Sequence, residues 1–366
     1  MITVNRFHIK QFGWIALSAV FIFPQTALAH GGADASQYPW EVWNLTADIV
    51  LGTLLLLSFY AVGIWRRRHN RKPTAPWRHV AFFTGVVALF IALQSPVDTL
   101  AERSFLIHQI QHFLIRMVGP MLIFLSAPQG TLVAGIPDYL RRSVVKPVLS
   151  STGIRSVFSF IAHPASVTAL FIGTFYFWQL PEFHNLAILN IYIHYLMHSI
   201  LLITGLLFFW RLFDRRPAPK GARFGVRLMM IWIMILSNIL IGAYLTFKGQ
   251  ILYPAYDVIG RLWFPALTDE QLGSITIWIP NSMMGLISIL IVIHMWGLQE
   301  TKDNERRLAK LASYGHGWNE PPLTGPEMVR QRAPKNKQIA LGLAAFAFSM
   351  YATAILIGVA SQLLSK

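Results

Sequence analysis

Runs of about twenty apolar residues recur along this chain, at about 45–65, 78–95, 105–127, 157–179, 189–211, 226–247, 275–298 and 338–362. A run of that length spans the hydrocarbon core of a bilayer as a helix, because a helix satisfies all its backbone groups internally. The expected fold is therefore all-α: a polytopic transmembrane bundle of about eight helices. With 54% hydrophobic and 13% charged residues in 366, there is little to build a soluble domain from. No internal repeat is evident.

The first thirty residues read as a cleavable signal peptide. Arg6 and Lys10 precede the apolar stretch from Trp14 to Phe23, and Ala27-Leu28-Ala29 offers a small-x-small cleavage site. The expected layout is a signal at 1–29, an outer segment at 30–44 and a seven-helix core at 45–298. A basic cytoplasmic linker at 299–337 and a last helix at 338–366 complete it. Cleavage leaves residue 30 on the periplasmic side of a bacterial inner membrane, and the loops then alternate.

Charge tests that order. The inner loops carry Arg66, Arg67, Arg68, Arg71, Lys72 and Arg78, then Arg141, Arg142, Lys146 and Arg155. The next two carry Arg211, Arg215, Arg216, Lys220, Arg223 and Arg227, then Lys302, Arg306, Arg307, Lys310, Arg330, Arg332, Lys335 and Lys337. The outer segments hold only Arg103, Lys248, Arg261 and Lys366, so the bases obey the positive-inside rule throughout. The net charge of +15 is thus an orientation signal facing lipid and cytoplasm, with no call for a nucleic-acid partner. On the outer side Asp34, Glu41, Asp48, Asp98, Glu102, Glu182, Asp257, Asp269 and Glu270 outnumber the bases and attract cations.

Two motifs stand out against this background, His108-x-x-x-His112 and His194-x-x-x-His198. A four-residue step turns a helix by about 40°, so each pair shares one face. Both pairs open their helices from the outer end and therefore share one depth. Ionisable side chains inside a bilayer are costly and commonly mark a site or a pathway. Four imidazoles on two helices can make a metal site, a haem site or a proton relay. The plain alternative is structural hydrogen bonding between helices.

With no cysteine in the chain, thiolate ligands and disulfides are excluded. A transition metal must be held by His, Met, carboxylate or water, a set that suits copper. His184 lies in the outer loop before the fifth helix, and His30 would become a chelating N-terminus after cleavage. Met197 offers a thioether, and Asp269 a ligand or uptake carboxylate at the start of the seventh helix. Arg116 continues the first histidine stripe at i+8, where it either holds an anion or a haem propionate or fixes packing. Asn238 and Asn281 are further polar groups inside helices, the latter following Pro280, which removes a backbone hydrogen bond. No phosphate-binding glycine loop and no nucleophile elbow is present, so no enzymatic activity is expected.

The run Ser95-Pro96-Val97-Asp98, then His108-Gln109-Ile110-Gln111-His112 and Gly119-Pro120-Met121-Leu122, resembles the CtaG-type assembly factors of caa-type cytochrome c oxidases. His194-Tyr195-Leu196-Met197-His198 running into Gly205-Leu206-Leu207-Phe208-Phe209-Trp210 is similar to that family's second His-rich helix. Asp269-Glu270-Gln271-Leu272-Gly273, followed by Trp278-Ile279-Pro280, resembles its Asp-Gln-Gln-Leu-Gly and Trp-Ile-Pro segment. The resemblance covers about 80–300. It implies a non-enzymatic role in maturing a haem–copper oxidase, with copper held by His108, His112, His194 and His198. An oxidase subunit and a periplasmic copper chaperone are the implied partners. A b-type haem electron carrier and a copper transport or resistance protein are the competing readings.

Overall fold

The computed structural model describes residues 42–69, 74–216, 221–313, 337–339, 341–346 and 348–349. The expected signal, His30, most of the basic linker and the greater part of the last helix lie outside these residues. Among the described residues all regular structure is helical. In chain order the helices are α1 (Ala47–His69), α2 (Pro76–Gln94), α3 (Pro96–Ala101), α4 (Phe105–Leu125), α5 (Gln129–Gly135) and α6 (138–150). Then follow α7 (Thr152–Ile161), α8 (Pro164–Gln179), α9 (Pro181–Leu189), α10 (Ile191–Leu212), α11 (Phe224–Phe247), α12 (Ala255–Ile259) and α13 (Ala266–Ser313). Five of these are long and apolar enough to cross a membrane, and up to seven spans result if each of two bent pairs is one span.

Local chemistry sets the boundaries. α1 opens with Asp48 and closes on Arg66, Arg67, Arg68 and His69, charges that complement the helix dipole at both ends. Ser95 ends α2 and caps α3, its hydroxyl accepting the Val97 N–H at 3.2 Å. Asn190 caps α10 by accepting from Tyr192 and Ile193 at 3.0 and 3.3 Å. α13 runs unbroken through Pro280. There the Asn281 side chain donates to the carbonyls of Thr276 and Ile277, at 3.3 and 2.6 Å, and so occupies the Thr276 acceptor that proline cannot serve.

Two expected spans differ from single straight helices. The run expected at 157–179 divides into α7 and α8, bent by 66°. Pro164 disfavours a helical residue before it, and His163 is extended, with its ring accepting the Ala165 N–H. α7 has no buried residue and exposes Ile154, Val157, Phe158 and Phe160, the profile of a helix lying in a membrane interface. The span expected at 105–127 ends at Leu125 and turns 77° into α5, through Ala127 at a φ of 52°. Pro137 and Pro147, with the wide turn at Arg141–Val145, shape the segment expected to be a plain loop into α6. Beyond the span expected at 275–298, α13 extends at both ends, its polar C-terminal turns including a Gln299–Asp303 hydrogen bond at 3.1 Å.

α4 lies in the middle, against α2, α10 and α13. Its helix widens to a π turn over Leu114–Val118. Pro120 has no N–H for the Arg116 carbonyl and its ring crowds that oxygen, which is the local cause of the widening. Gly205 of α10 approaches the same oxygen so closely that a Cβ there would sit 2.5 Å from it. This contact brings α4 and α10 together below their histidines. Substituting Gly205→Val is expected to force the helices apart and to cost about 1–3 kcal/mol of stability. Gly173→Ala, in open space, is expected to be neutral. Thermal unfolding of both variants in detergent checks the contrast.

Candidate metal centre

The two His pairs converge. His194 Nε2 lies 3.2 Å from His198 Nε2, which lies 3.4 Å from His108 Nε2. Ring nitrogens of His108, His112 and His198 all lie within 4.8 Å of one another. The rings of His112 and His198 meet at 5.3 Å, edge to face. All four side chains are buried, the most exposed being His198 at 7%.

These separations have a chemical meaning. Ligands about 2.0–2.1 Å from an ion at tetrahedral angles lie about 3.3–3.4 Å from each other. The His198–His108 separation matches such an edge, while His194 stands outside the group of three and joins it through His198. His112 is one of the three, and neither of its buried ring nitrogens has a hydrogen-bond partner among the described residues. Leaving such a group unsatisfied costs about 1–3 kcal/mol, so an imidazole in this position is held ready for something.

Two acids at the start of α13 build the surroundings. Asp269 Oδ1 accepts from the Ser104 hydroxyl at 2.8 Å and the Leu106 N–H at 3.1 Å, while Oδ2 accepts the Phe105 N–H at 2.8 Å. It thus caps α4 from another helix, one turn before His108. Arg261 donates to the same Oδ2 at 2.8 Å. Glu270 takes the backbone N–H groups of Leu252 and Tyr253, both at 3.0 Å, together with the Lys248 ammonium. That bond set fixes the loop leading into α12. On its other side α4 is held by Gln111, which donates to Asp98 at 2.7 Å and to the Ala92 carbonyl at 2.8 Å.

Tyr256, the second residue of α12, reaches the cluster itself. Its hydroxyl lies 2.6 Å from His108 Nδ1 and 2.8 Å from His184 Nε2, and His184 Nδ1 lies 3.0 Å from the Trp178 carbonyl. Burial lowers His184 to about 4, against the opposing pull of the Trp178 carbonyl, so its ring is neutral at neutral pH. Burial raises the Tyr256 phenol well above its ordinary value, and Asp269 adds to the rise.

The other expected residues take these places. His184 is in the assembly, but with both nitrogens engaged it stands behind His108. Asp269 has both oxygens occupied as a cap. Met197 is fully buried in an apolar cluster with Phe105, Ile115 and Leu201. Arg116 lies beneath the histidines, its guanidinium 3.7 Å from the Phe171 ring and 4.2 Å from the Phe175 ring. It donates to the Phe171 carbonyl at 3.3 Å and to Asn238 at 3.5 Å. Asn281 serves α13 internally, and His30 lies outside the described residues. Tyr256 and the capping role of Asp269 escaped the sequence reading. A phenol in the aromatic Tyr253-Pro254-Ala255-Tyr256 turn, at the same end as the histidines, was the available signal.

The family model of the cytochrome c oxidase caa3 assembly factor matches residues 57–298. An uncharacterized protein of Mycobacterium leprae is 23% identical over 265 residues, covering 71% of this chain and 40% of its own length. One of Mycobacterium bovis is 22% identical over 267 residues, with the same coverage. The chain thus spans about two fifths of the length of these curated relatives. No solved structure matches.

Replacing Asp269 by Ala removes a buried partner of Arg261 and uncovers the start of α4, at an expected cost of about 3–5 kcal/mol. Asp257 pairs with the same arginine but is 46% exposed, and Asp257→Ala is expected to cost under about 1 kcal/mol. Denaturant unfolding of the two metal-free variants gives the comparison.

Proposed function

We propose that this chain, which belongs to the cytochrome c oxidase caa3 assembly factor family, holds copper on His108, His112, His194 and His198 and passes it to a haem–copper oxidase subunit within the membrane. The observation that carries this reading is His112: a buried imidazole with no hydrogen bond among the described residues, within ligand reach of His108 and His198. The role is delivery, with no catalytic turnover. With the arginine-rich loops facing the cytoplasm, the histidines face the periplasm, where a copper chaperone supplies the ion.

The donor chemistry favours the cuprous ion. Four neutral imidazoles bring no negative charge, and Arg116 adds a positive one a turn deeper. The cost of burying an ion rises steeply with its charge, so a monovalent cation is the better tolerated. The ring contacts also favour a single ion over a haem. Axial imidazoles stand on opposite faces of a macrocycle, whereas the cross-helix nitrogens His108 Nε2 and His198 Nε2 face each other directly at 3.4 Å.

Copper analysis of the purified full chain is expected to give about one ion per wild-type chain, and at least tenfold less in a His112→Ala, His198→Ala double variant. The wild-type X-ray absorption edge is expected to be that of Cu(I) with nitrogen neighbours. Equal copper in both proteins, together with normal oxidase maturation in a strain carrying the double variant, would sink the reading. A Soret band in the purified protein would favour the haem alternative.

A further inference from the structure

Tyr256 and His184 do more than pack behind the cluster. For a neutral His184, the chain of hydrogen bonds from the Trp178 carbonyl to His108 has one consistent direction of donation. A carbonyl oxygen can only accept, so His184 Nδ1 carries the proton in the 3.0 Å contact with Trp178. A neutral His184 then has a bare Nε2, which accepts the Tyr256 hydroxyl proton across 2.8 Å. With its one proton directed to His184, the phenol oxygen can only accept from His108 across 2.6 Å. His108 therefore carries its proton on Nδ1, and its Nε2 lone pair points at His198.

We propose that Trp178, His184 and Tyr256 form a tautomer lock whose task is to keep the cluster-facing nitrogen of His108 bare. The lock rests on the copper-site reading for its purpose, but its existence is a property of the metal-free protein. Free imidazole side chains prefer the opposite tautomer, with the proton on Nε2, which would block ligation. Outer hydrogen bonds commonly fix the tautomer of a ligating histidine through a single carboxylate or carbonyl. Here the carbonyl acts at a distance of two side chains. Tyr256 and His184 are positioning residues in this scheme, since neither offers a nitrogen or oxygen to the ion.

Reversal of the chain gives the test its sign. His184→Leu leaves the Tyr256 hydroxyl with His108 Nδ1 as its remaining partner. The phenol then donates to Nδ1, which drives the His108 proton onto Nε2. Tyr256→Phe removes the bias without reversing it. The experiment is solid-state 15N spectroscopy of histidine-labelled full-length protein in lipid bilayers, free of metal, with His108 assigned by the resonance lost in His108→Gln. Wild type is expected to show His108 with a protonated Nδ1 and a bare Nε2. His184→Leu is expected to show the inverse, and Tyr256→Phe a mixture. In a Cu(I) competition assay on the same proteins, affinity should fall about 10–100-fold in Tyr256→Phe and at least as far in His184→Leu. A wild-type His108 protonated on Nε2, or a tautomer unmoved in both variants, overturns the lock. If either variant fails to fold, the wild-type spectrum alone decides. Failure of wild type to bind copper, with the tautomers as stated, would refute the copper reading and leave the lock standing.

Discussion

The Asp269 carboxylate is the contact on which the rest of this assembly depends. It stands in the first turn of α13, where that helix's own dipole favours a negative charge, yet its oxygens serve the start of α4. One side chain thereby fixes the height of α4 against α13, and with it the height of His108 and His112. Through Arg261 the same carboxylate reaches Asp257 and the Tyr253 carbonyl, so the segment bearing Tyr256 is set by the same group. Glu270 next to it closes the loop from Lys248. A cluster of four imidazoles needs sub-ångström placement on separate helices, and two adjacent acids supply the common reference.

Polar groups in an apolar bundle divide into those that are satisfied and those that are not. Asn281 compensates Pro280, Gln111 ties α4 to Asp98 and α2, and Asn190 caps α10. Each of these offsets a local deficit and returns the helix to balance. His112 does nothing of the kind, and removing it in favour of an apolar residue would by itself relieve an unmet desolvation cost. Its presence is therefore a charge against stability that packing does not explain, while the histidine-rich neighbours do.

The sequence made the periodic and the electrostatic parts readable. The two i,i+4 pairs fall on single faces because helical geometry requires it, and the distribution of arginines placed both at one end of the bundle. The break before Pro164 was written in the sequence as well, but the apolar run continues through it and masks the signal. What stayed hidden was tertiary. An acid at the start of α13 looks like an ordinary partner for its own dipole, and nothing local says that its oxygens cap a helix more than 160 positions earlier. Tyr256 lies in a short helix between spans, and its closeness to His108 depends on the bonds that Glu270 and Arg261 make to the preceding loop. Arg116 was visible as an intramembrane cation, but its aromatic flanks, Phe171 and Phe175, come from a different helix.

The π turn links these pieces to the fate of an ion. Eight regular helical steps would carry Arg116 about 80° around α4 from His108. A wider turn rotates less per residue, so the widening over Leu114–Val118 returns Arg116 toward the histidine stripe. The guanidinium then underlies the imidazoles, held by ring faces and carbonyl oxygens that leave its charge in place. For the copper proposed here, the next step inward from His112 meets a like charge at low dielectric, where repulsion is strongest. The π turn, with Pro120 at its end and Gly205 against it, thus sets a like charge inward of the His cluster, against passage of the proposed ion along α4. Departure of the proposed ion at the level of the histidines, sideways or back, is the route that fits the transfer to another membrane protein proposed above.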